Sequence, residues 1–278
     1  MGATTASAVP LQFDNLVGVT DGSNVLGATV MSRTALFRSV ATDDGQTVDA
    51  RITATLVGDT EFADVSNPTN RSSFGDAGYI PDYSGAPGGP EADLGFLYYG
   101  NGLDDATDGI SFLFEFFDGS GDYAGSFANQ VTVGSLDLAI YDVDGEATQS
   151  EYFTAYKNDG LISYAVGNTE QALVATDLGD SVLFQGPGQN YSESDATGAV
   201  LLNYTETQSF RLDFGSVQSG GPTQNAVFSA IDGDLSFIDI GDFTGPIAVA
   251  PVPVPPSVLS FIGAIALMGF MRIRRKSA

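Results

Sequence analysis

The stretch "ISFLFEFFD", residues 110 to 118, decides the fold of this chain. Four apolar side chains recur at every second position, which places them on one side of a β-strand: Ile110, Phe112, Phe114 and Phe116. Leu113 and Phe117 occupy the opposite side. Because both sides carry large apolar residues, the pattern predicts a strand that is buried on both faces and lies at the centre of the core.

A β-hairpin is predicted upstream of this strand. In "VDARITATLVG", residues 48 to 58, apolar positions alternate with polar ones, as in a strand with one buried face. The preceding segment "RTALFRSVA", residues 33 to 41, leads into "TDDGQ", where Asp44-Gly45 is a strong turn signal. We expect the two segments to pair as antiparallel strands.

Seven further segments have the composition of strands and are separated by turns rich in Gly, Asp and Asn. They are "VTVGSLDLAIYDV" (131–143), "EYFTAYK" (151–157), "LISYAV" (161–166), "SVLFQG" (181–186), "AVLLNYTE" (199–206), "SFRLDFGSV" (209–217) and "LSFIDI" (235–240). The segment 91–109 is predicted to be a loop with one short apolar core. The fold class that follows is all-β: a two-sheet antiparallel sandwich, jelly-roll-like, with a short C-terminal hydrophobic helix.

Composition and charge agree with this class and exclude several functions. Of the 35 acidic residues 27 are Asp, and the chain has 34 Gly and 12 Pro, which favour turns over helices. Up to Asp242, six basic residues stand against 35 acidic ones, a formal charge of −29. Such a surface repels phosphate groups, so we expect no nucleic-acid partner.

The chain has no Cys and no His, which removes most familiar catalytic machinery. Disulfides, thiolate nucleophiles, Ser-His-Asp triads and imidazole-bound zinc are all excluded. Carboxylate chemistry remains as an enzymatic route, for example Glu115 or Glu151 acting beside an Asp in a glycosidase or lyase. No spacing identifies such a pair, so the sequence favours a role other than catalysis.

Four carboxylates cluster in "YDVDGEATQSEYF", residues 141 to 153: Asp142, Asp144, Glu146 and Glu151. At a strand end Asp142 and Asp144 point to the same side, where two negative charges repel unless a cation or a shared proton intervenes. Calcium is the candidate cofactor. The alternative is an ordinary solvated turn around Asp144-Gly145.

Tyrosines surround the Gly- and Pro-rich segment 79–100, at Tyr79, Tyr83, Tyr98 and Tyr99. A Tyr ring on a loop has a flat apolar face and a polar edge, which suits a polysaccharide. Alternatively, these rings cap the core beneath the loop. Exopolysaccharide is therefore a candidate partner.

The chain ends in "VPVPPSVLSFIGAIALMGFMRIRRKSA", residues 252 to 278. Its apolar run from Val258 to Met271 is shorter than the ~20 residues that a stable membrane helix needs. Four basic residues follow the run: Arg272, Arg274, Arg275 and Lys276. Basic residues directly after an apolar segment predict that the C-terminus lies in the cytoplasm and the acidic domain on the other side of the membrane.

This tail resembles the PEP-CTERM class of bacterial sorting signals, in particular the VPLPA-type variant. The residues that carry the resemblance are a Pro motif, the short apolar helix and the basic stop: Val252, Pro253, Val254, Pro255 and Pro256, then Arg272 to Lys276. Val254 stands in place of the motif's Leu and Pro256 in place of its final Ala. The resemblance implies a Gram-negative exosortase as processing partner, transient anchoring in the inner membrane, and release to the cell surface or extracellular matrix.

The predicted organisation has four parts. Residues 1–8 include Ala6-Ser7-Ala8, an A-x-A pattern that marks either a signal-peptide remnant or an ordinary small-residue coil. Residues 9–245 form the β-sandwich, 246–257 a Pro-rich tether with the sorting motif, and 258–278 the hydrophobic helix and basic tail. We expect an exported surface or matrix protein with a structural, adhesive or polysaccharide-associated role; the alternative is a secreted carbohydrate-active enzyme.

Overall fold

A computed structural model describes most of the predicted sandwich. The described residues are 8–13, 15–23, 30–58, 60–62, 94–100, 109–121, 127–191, 195–218, 225–233, 235, 239–250 and 252. The predicted hydrophobic helix and the four basic residues lie outside them, as do Ala6 and Ser7 of the A-x-A pattern. Among the described residues, no helix is long and apolar enough to cross a membrane.

The described chain folds into two antiparallel β-sheets, as predicted. The larger sheet has eight strands in the spatial order β1 (Leu16–Ser23), β2 (Val30–Asp43), β3 (Gln46–Val57), β6 (Gly109–Asp118), β13 (Ser209–Gln218), β8 (Gln149–Tyr156), β11 (Ser181–Gln185) and β10 (Val174–Asp177). The smaller sheet has seven strands in the order β15 (Ile247–Ala248), β9 (Leu161–Val166), β12 (Val200–Thr207), β7 (Val133–Tyr141), β14 (Asn225–Asp232), β5 (Leu94–Gly100) and β4 (Thr60–Phe62). Short 3₁₀ helices span Lys157–Asp159, Ala196–Gly198 and Ile240–Asp242.

Most neighbours in the sheets are distant in sequence. β6 pairs on one side with β3 and on the other with β13. β13 lies about a hundred residues further along the chain, and its Phe210 is in register with Phe114 of β6. β7 lies between β12 and β14 in the same way. The predicted hairpin is confirmed, because β2 and β3 pair in register up to Asp43 and Gln46 around the Asp44-Gly45 turn.

The core lies between the sheets and is built largely from β6 and its neighbours. Phe114 stacks on Phe210 with ring centroids 4.4 Å apart, and Phe153 stacks on Phe214 at 5.4 Å. Tyr164 of the smaller sheet meets Phe184 of the larger one edge-on at 5.0 Å. These aromatic contacts join strands within one sheet and connect the two sheets, so the two layers share one core.

The prediction that β6 is buried on both faces is wrong. Its even-numbered side chains, from Ile110 to Phe116, are buried in the core, but Leu113 on the opposite face is 38% exposed. Phe117 is buried on that outer face by local contacts: the Arg51 guanidinium lies 4.8 Å from its ring centroid and the Phe127 ring packs at 5.8 Å. The outer face of the larger sheet is thus half-solvated, as is usual for an antiparallel sheet.

Three further segments differ from the sequence-based expectation. Leu94–Gly100, predicted to lie in a loop, is strand β5, and Asn225–Asp232, which was not predicted, is strand β14 between β7 and β5. Ile240–Asp242, at the end of the predicted strand 235–240, is a 3₁₀ helix. For β5 and β14, pairing with remote strands, rather than the local pattern, fixes the conformation. The 3₁₀ helix is instead capped locally, because the Asp239 side chain accepts from the Gly241 N–H.

Residues assigned to the start of the tether belong to the sheet. Ile247–Ala248 forms the edge strand β15 against β9, and the Val249 N–H donates to the Ile162 carbonyl over 2.8 Å. Just upstream, the Thr244 N–H donates to the Val166 carbonyl over 2.8 Å. The described hydrogen bonds to the sheet therefore continue to Val249, beyond the predicted domain boundary at residue 245.

Candidate functional site

The predicted carboxylate cluster lies in the loop that joins β7 to β8. β7 ends at Tyr141 and β8 begins at Gln149. Asp142 has a φ angle of +58°, a left-handed conformation that Asp tolerates better than most side chains. The chain therefore turns sharply as soon as it leaves the sheet.

The carboxylate of Asp144 fastens this loop to a second loop remote in sequence. Its side chain is buried, one oxygen accepts from the backbone N–H of Gly145, and the other accepts from the N–H of Tyr191 over 2.6 Å. Its carbonyl accepts from the Gly188 N–H over 2.9 Å. Asp144 thus connects the β7–β8 loop to the segment that follows β11.

Gly145 is required by the close approach that this arrangement produces. Its φ angle is +92°, and a Cβ atom there would lie 2.3 Å from the Gln149 carbonyl oxygen. The next residue, Glu146, pairs with Gln149 through two backbone hydrogen bonds of 2.8 and 2.9 Å, while its side chain is exposed. The turn predicted at Asp144-Gly145 is therefore present, and it points Glu146 away from the other carboxylates.

Glu151 is a buried carboxyl at the start of β8. It is 7% exposed, its Oε1 accepts from the Gln149 side-chain amide over 3.0 Å, and it also accepts from the Asp144 backbone N–H. Burial raises the pKa of Glu151 well above its ordinary value, and the negative charges of Asp142 and Asp144 raise it further. Burial also raises the pKa of Asp144, with a smaller contribution from the charge of Asp195.

The structure thus brings three of the four predicted metal-site residues near one another and leaves out Glu146. Asp142, Asp144 and Glu151 are close enough for their charges to interact. Among the described residues, however, no group of three or more acidic side chains has a geometry that could hold a metal ion. The carboxylate oxygens of Asp144 accept from backbone N–H groups, which stabilise its charge without a cation. Calcium binding stays a prediction.

Glu115, named as a catalytic candidate, is held in an ion pair. Arg51 of the neighbouring strand β3 donates to both of its oxygens, over 2.7 and 2.8 Å. Gln130 donates to Oε1 over 3.1 Å. A bidentate pair of this kind joins two neighbouring strands, which is a structural arrangement rather than that of a proton donor.

The sequence analysis did not identify two residues that lie in the region of this cluster. Asp195 accepts from the Thr197 N–H over 2.9 Å and caps the 3₁₀ helix Ala196–Gly198, whose Gly198 carbonyl accepts from the Val143 N–H over 3.0 Å. Tyr191 contributes its backbone N–H to Asp144. The Asp before "ATG" is a capping signal that could have been found, whereas a backbone donor leaves no sequence signal.

Asp118, the last residue of β6, accepts from the Ser120 N–H over 2.9 Å, the geometry of an ordinary Asx turn. The remaining sequence-predicted groups have simple positions. Tyr98 and Tyr99 lie in β5, whereas Tyr79 and Tyr83 lie outside the described residues. Of the sorting motif, Val252 is described and half-buried, and Pro253, Val254, Pro255 and Pro256 lie outside the described part.

Comparison with known proteins finds similarity only to solved structures. No protein-family model and no curated protein sequence matches this chain. Among solved structures, the N-terminal domain of the Streptococcus gordonii adhesin Sgo0707 is similar over 82% of this chain and 60% of its own, with 10% identity and a TM-score of 0.43. The adhesin domain of PrgB from Enterococcus faecalis is similar over 73% of this chain and 64% of its own, with 12% identity and a TM-score of 0.38. The chain thus spans less than two thirds of the length of either structure.

Proposed function

We propose that this protein is an exported β-sandwich with a structural, adhesive or polysaccharide-associated role at the cell surface or in the extracellular matrix. Its C-terminal segment 252–278 directs it there through an exosortase-like enzyme after transient anchoring in the inner membrane. The proposal joins the resemblance of the tail to the sandwich fold of the rest of the chain.

The observation that carries the proposal is where the sandwich ends relative to the sorting motif. Hydrogen bonds from Asn168 to Asp242 and from Val249 to Ile162, of 2.7 and 2.8 Å, attach the last part of the domain to β9. Val252, the first residue of the motif, follows three positions after Val249. A processing enzyme that cleaves at the motif would therefore act within a few residues of the edge strand β15.

The environment of the acidic residues supports a role other than catalysis. Glu115 is paired with Arg51, and Asp177 is paired with Lys157 over 2.6 Å. Asp213 accepts from the Ser111 hydroxyl over 2.6 Å and from the Tyr156 hydroxyl over 2.5 Å. These carboxylates are held in ion pairs and hydrogen bonds that connect neighbouring elements of the larger sheet.

A carbohydrate-active enzyme is the second candidate, favoured by one observation. The raised pKa of Glu151 favours its protonated form, as a general acid requires, and two other carboxylates lie nearby. Its burial beneath the β7–β8 loop argues against access by a substrate.

Incubation of the full chain with a panel of polysaccharides separates the two candidates. We expect cosedimentation with at least one polysaccharide and no release of reducing ends or unsaturated products. Reproducible product release that Glu151→Gln abolishes would favour the enzyme. Absence of both binding and turnover across the panel would leave only a structural role.

A further inference from the structure

A cavity of about 340 Å³ lies on the outer face of the smaller sheet. Its floor includes Asp137, Asn203 and Ser163, which come from three adjacent strands and stand side by side, since Asn203 is in register with both of the others. Their sequence neighbours Leu138 and Leu202 are buried in the core. Side chains alternate along a strand, so the three polar side chains face away from the core.

The other lining residues are apolar apart from Tyr164 and Thr244. Leu201 lies two residues before Asn203 along the same face of β12, and the segment after β14 adds Ile240 and Pro246. Ile240 is 67% exposed. The cavity therefore has a polar row along one side and aliphatic surface along the other, a division that suits a ligand with both kinds of surface.

The polar row has hydrogen-bonding capacity to spare. The Asn203 amide donates to Asp137 Oδ1, which fixes the orientation of the amide. An amide has two donor hydrogens and an acceptor oxygen, and a carboxylate has two acceptor oxygens, so this single bond uses only part of the capacity of the pair. Ser163 adds a hydroxyl that can donate and accept. Acceptors and donors thus alternate across three strands.

The position of the row in the sheet restricts what it can bind. β12 is paired by its backbone to β7 on one side and to β9 on the other. A peptide strand cannot add to a strand whose neighbours are both in place, so a ligand here must be bound by side chains. Asp137 is the one acidic residue among the described lining residues, and no Lys or Arg lines the cavity. A lone carboxylate disfavours anionic ligands such as uronates.

We propose that this cavity binds a neutral hexopyranose unit, and this inference rests on the proposed polysaccharide-associated function. A hexopyranose has adjacent hydroxyl groups, each a donor and an acceptor, and an apolar C–H face. The hydroxyls bond to Asp137, Asn203 and Ser163, while the C–H face packs on Leu201 and Ile240. The polysaccharide is thus held by side chains on the sheet face.

The test uses the full chain in a zwitterionic detergent, because glucoside and maltoside detergents contain hexose themselves. The probes are the methyl glycosides of glucose, galactose and mannose, titrated by ligand-observed NMR. We expect saturable millimolar binding of at least one glycoside, weakened about tenfold or more in Asn203→Ala, as expected when a hydrogen bond to the ligand is lost. Ser163→Val is the second variant, and Asn158→Ala, an exposed Asn outside the cavity, is the matched control.

Two outcomes overturn the inference: no glycoside binds, or both cavity variants bind as the parent chain does. Cosedimentation of the same variants with the polysaccharide identified in the panel separates this failure from that of the proposed function. If both variants still cosediment fully, the polysaccharide binds elsewhere and only the cavity assignment fails. If the parent chain itself does not cosediment with any polysaccharide, the polysaccharide-associated part of the proposed function fails, whatever the glycosides do.

Discussion

The buried carboxylate of Asp49 accepts a hydrogen bond from the backbone N–H of Ser39 over 2.8 Å. Ser39 has a φ angle of +54° and lies in the irregularity that shifts the β2–β3 register between Phe37 and Ala41. The other oxygen of Asp49 lies 3.5 Å from Arg38 Nε, and Arg38 also donates to the Gly121 carbonyl over 3.0 Å. Asp49 therefore fixes the bulge and, through Arg38, the turn after β6.

Replacement of Asp49 by Ala is expected to destabilise the fold by about 1–3 kcal/mol, because it leaves the Ser39 N–H without this acceptor and Arg38 without its ion pair. Urea unfolding measures the change in the free energy of unfolding. Asp242→Ala removes the same group from an exposed position and is expected to change stability by less than about 0.5 kcal/mol. Equal losses in the two variants would mean that the Asp49 contacts contribute nothing specific.

Neighbouring substitutions on β6 test its one-sided burial. Phe114→Ala removes a fully buried ring stacked on Phe210 and is expected to cost about 3–5 kcal/mol. Leu113→Ala, at the next residue but on the outer face, is expected to cost far less, since its side chain is partly solvated already. Guanidinium melts of both variants compare the two faces. A loss at Leu113 as large as that at Phe114 would restore the prediction of a strand buried on both faces.

The raised pKa of Glu151 predicts a pH dependence of stability. Between the ordinary value of 4.5 and its higher native value, the folded state binds more protons than the unfolded state, so the free energy of unfolding decreases as pH rises. Glu151→Gln keeps the shape and removes the ionisation. Below pH 4.5 we expect the variant and the parent to have the same free energy of unfolding. At pH 8 the variant should be the more stable of the two, because its free energy of unfolding decreases less as pH rises. Parallel pH profiles for the two chains would contradict the assignment.

Calcium binding at the β7–β8 loop makes a separate prediction. If Asp142 helps to hold one ion, calcium at ~100 times its dissociation constant would add about 2.7 kcal/mol to the free energy of unfolding. Thermal melts must compare calcium with sodium at equal ionic strength, because screening alone stabilises so acidic a surface. Asp142→Asn should remove the gain, and Glu146→Gln, at an exposed position, should keep it. Identical melts in calcium and sodium would leave this loop as a hydrogen-bonded turn without an ion.

Processing of the tail is checked by intact mass. Protein recovered outside the cell is expected to lack the residues beyond the Val252 to Pro256 region, including the basic stop from Arg272 to Lys276. Pro253→Ala combined with Pro255→Ala should leave full-length protein in the inner membrane. If external protein still carried "RIRRKSA", the tail would not be cleaved and would act as a simple membrane anchor.

Local patterning was enough to predict the fold class. The two-residue period of Val48 to Leu56 and the Asp44-Gly45 turn predicted the β2–β3 hairpin, because strand pairing between neighbours in sequence depends on that period and on the turn alone. The same period grouped Ile110, Phe112, Phe114 and Phe116 on one side of β6, but it did not show that the opposite side is partly solvated. For the sorting tail, the sequence provides both the motif and the resemblance on which the routing proposal rests.

The environment of each carboxylate was decided only by tertiary structure. Asp49 looked like a solvated outer-face residue, yet the bulge at Ser39 buries it. Asp144 and Glu146 looked alike in one acidic cluster, but a backbone N–H 47 residues away, at Tyr191, binds Asp144 while Glu146 remains exposed. Periodicity determines which side of a strand faces the core, whereas burial and charge at a given carboxylate depend on which remote strand or loop packs against it. Which strand or loop packs there depends on the register between strands that are distant in sequence, and a single local stretch of sequence does not predict that register.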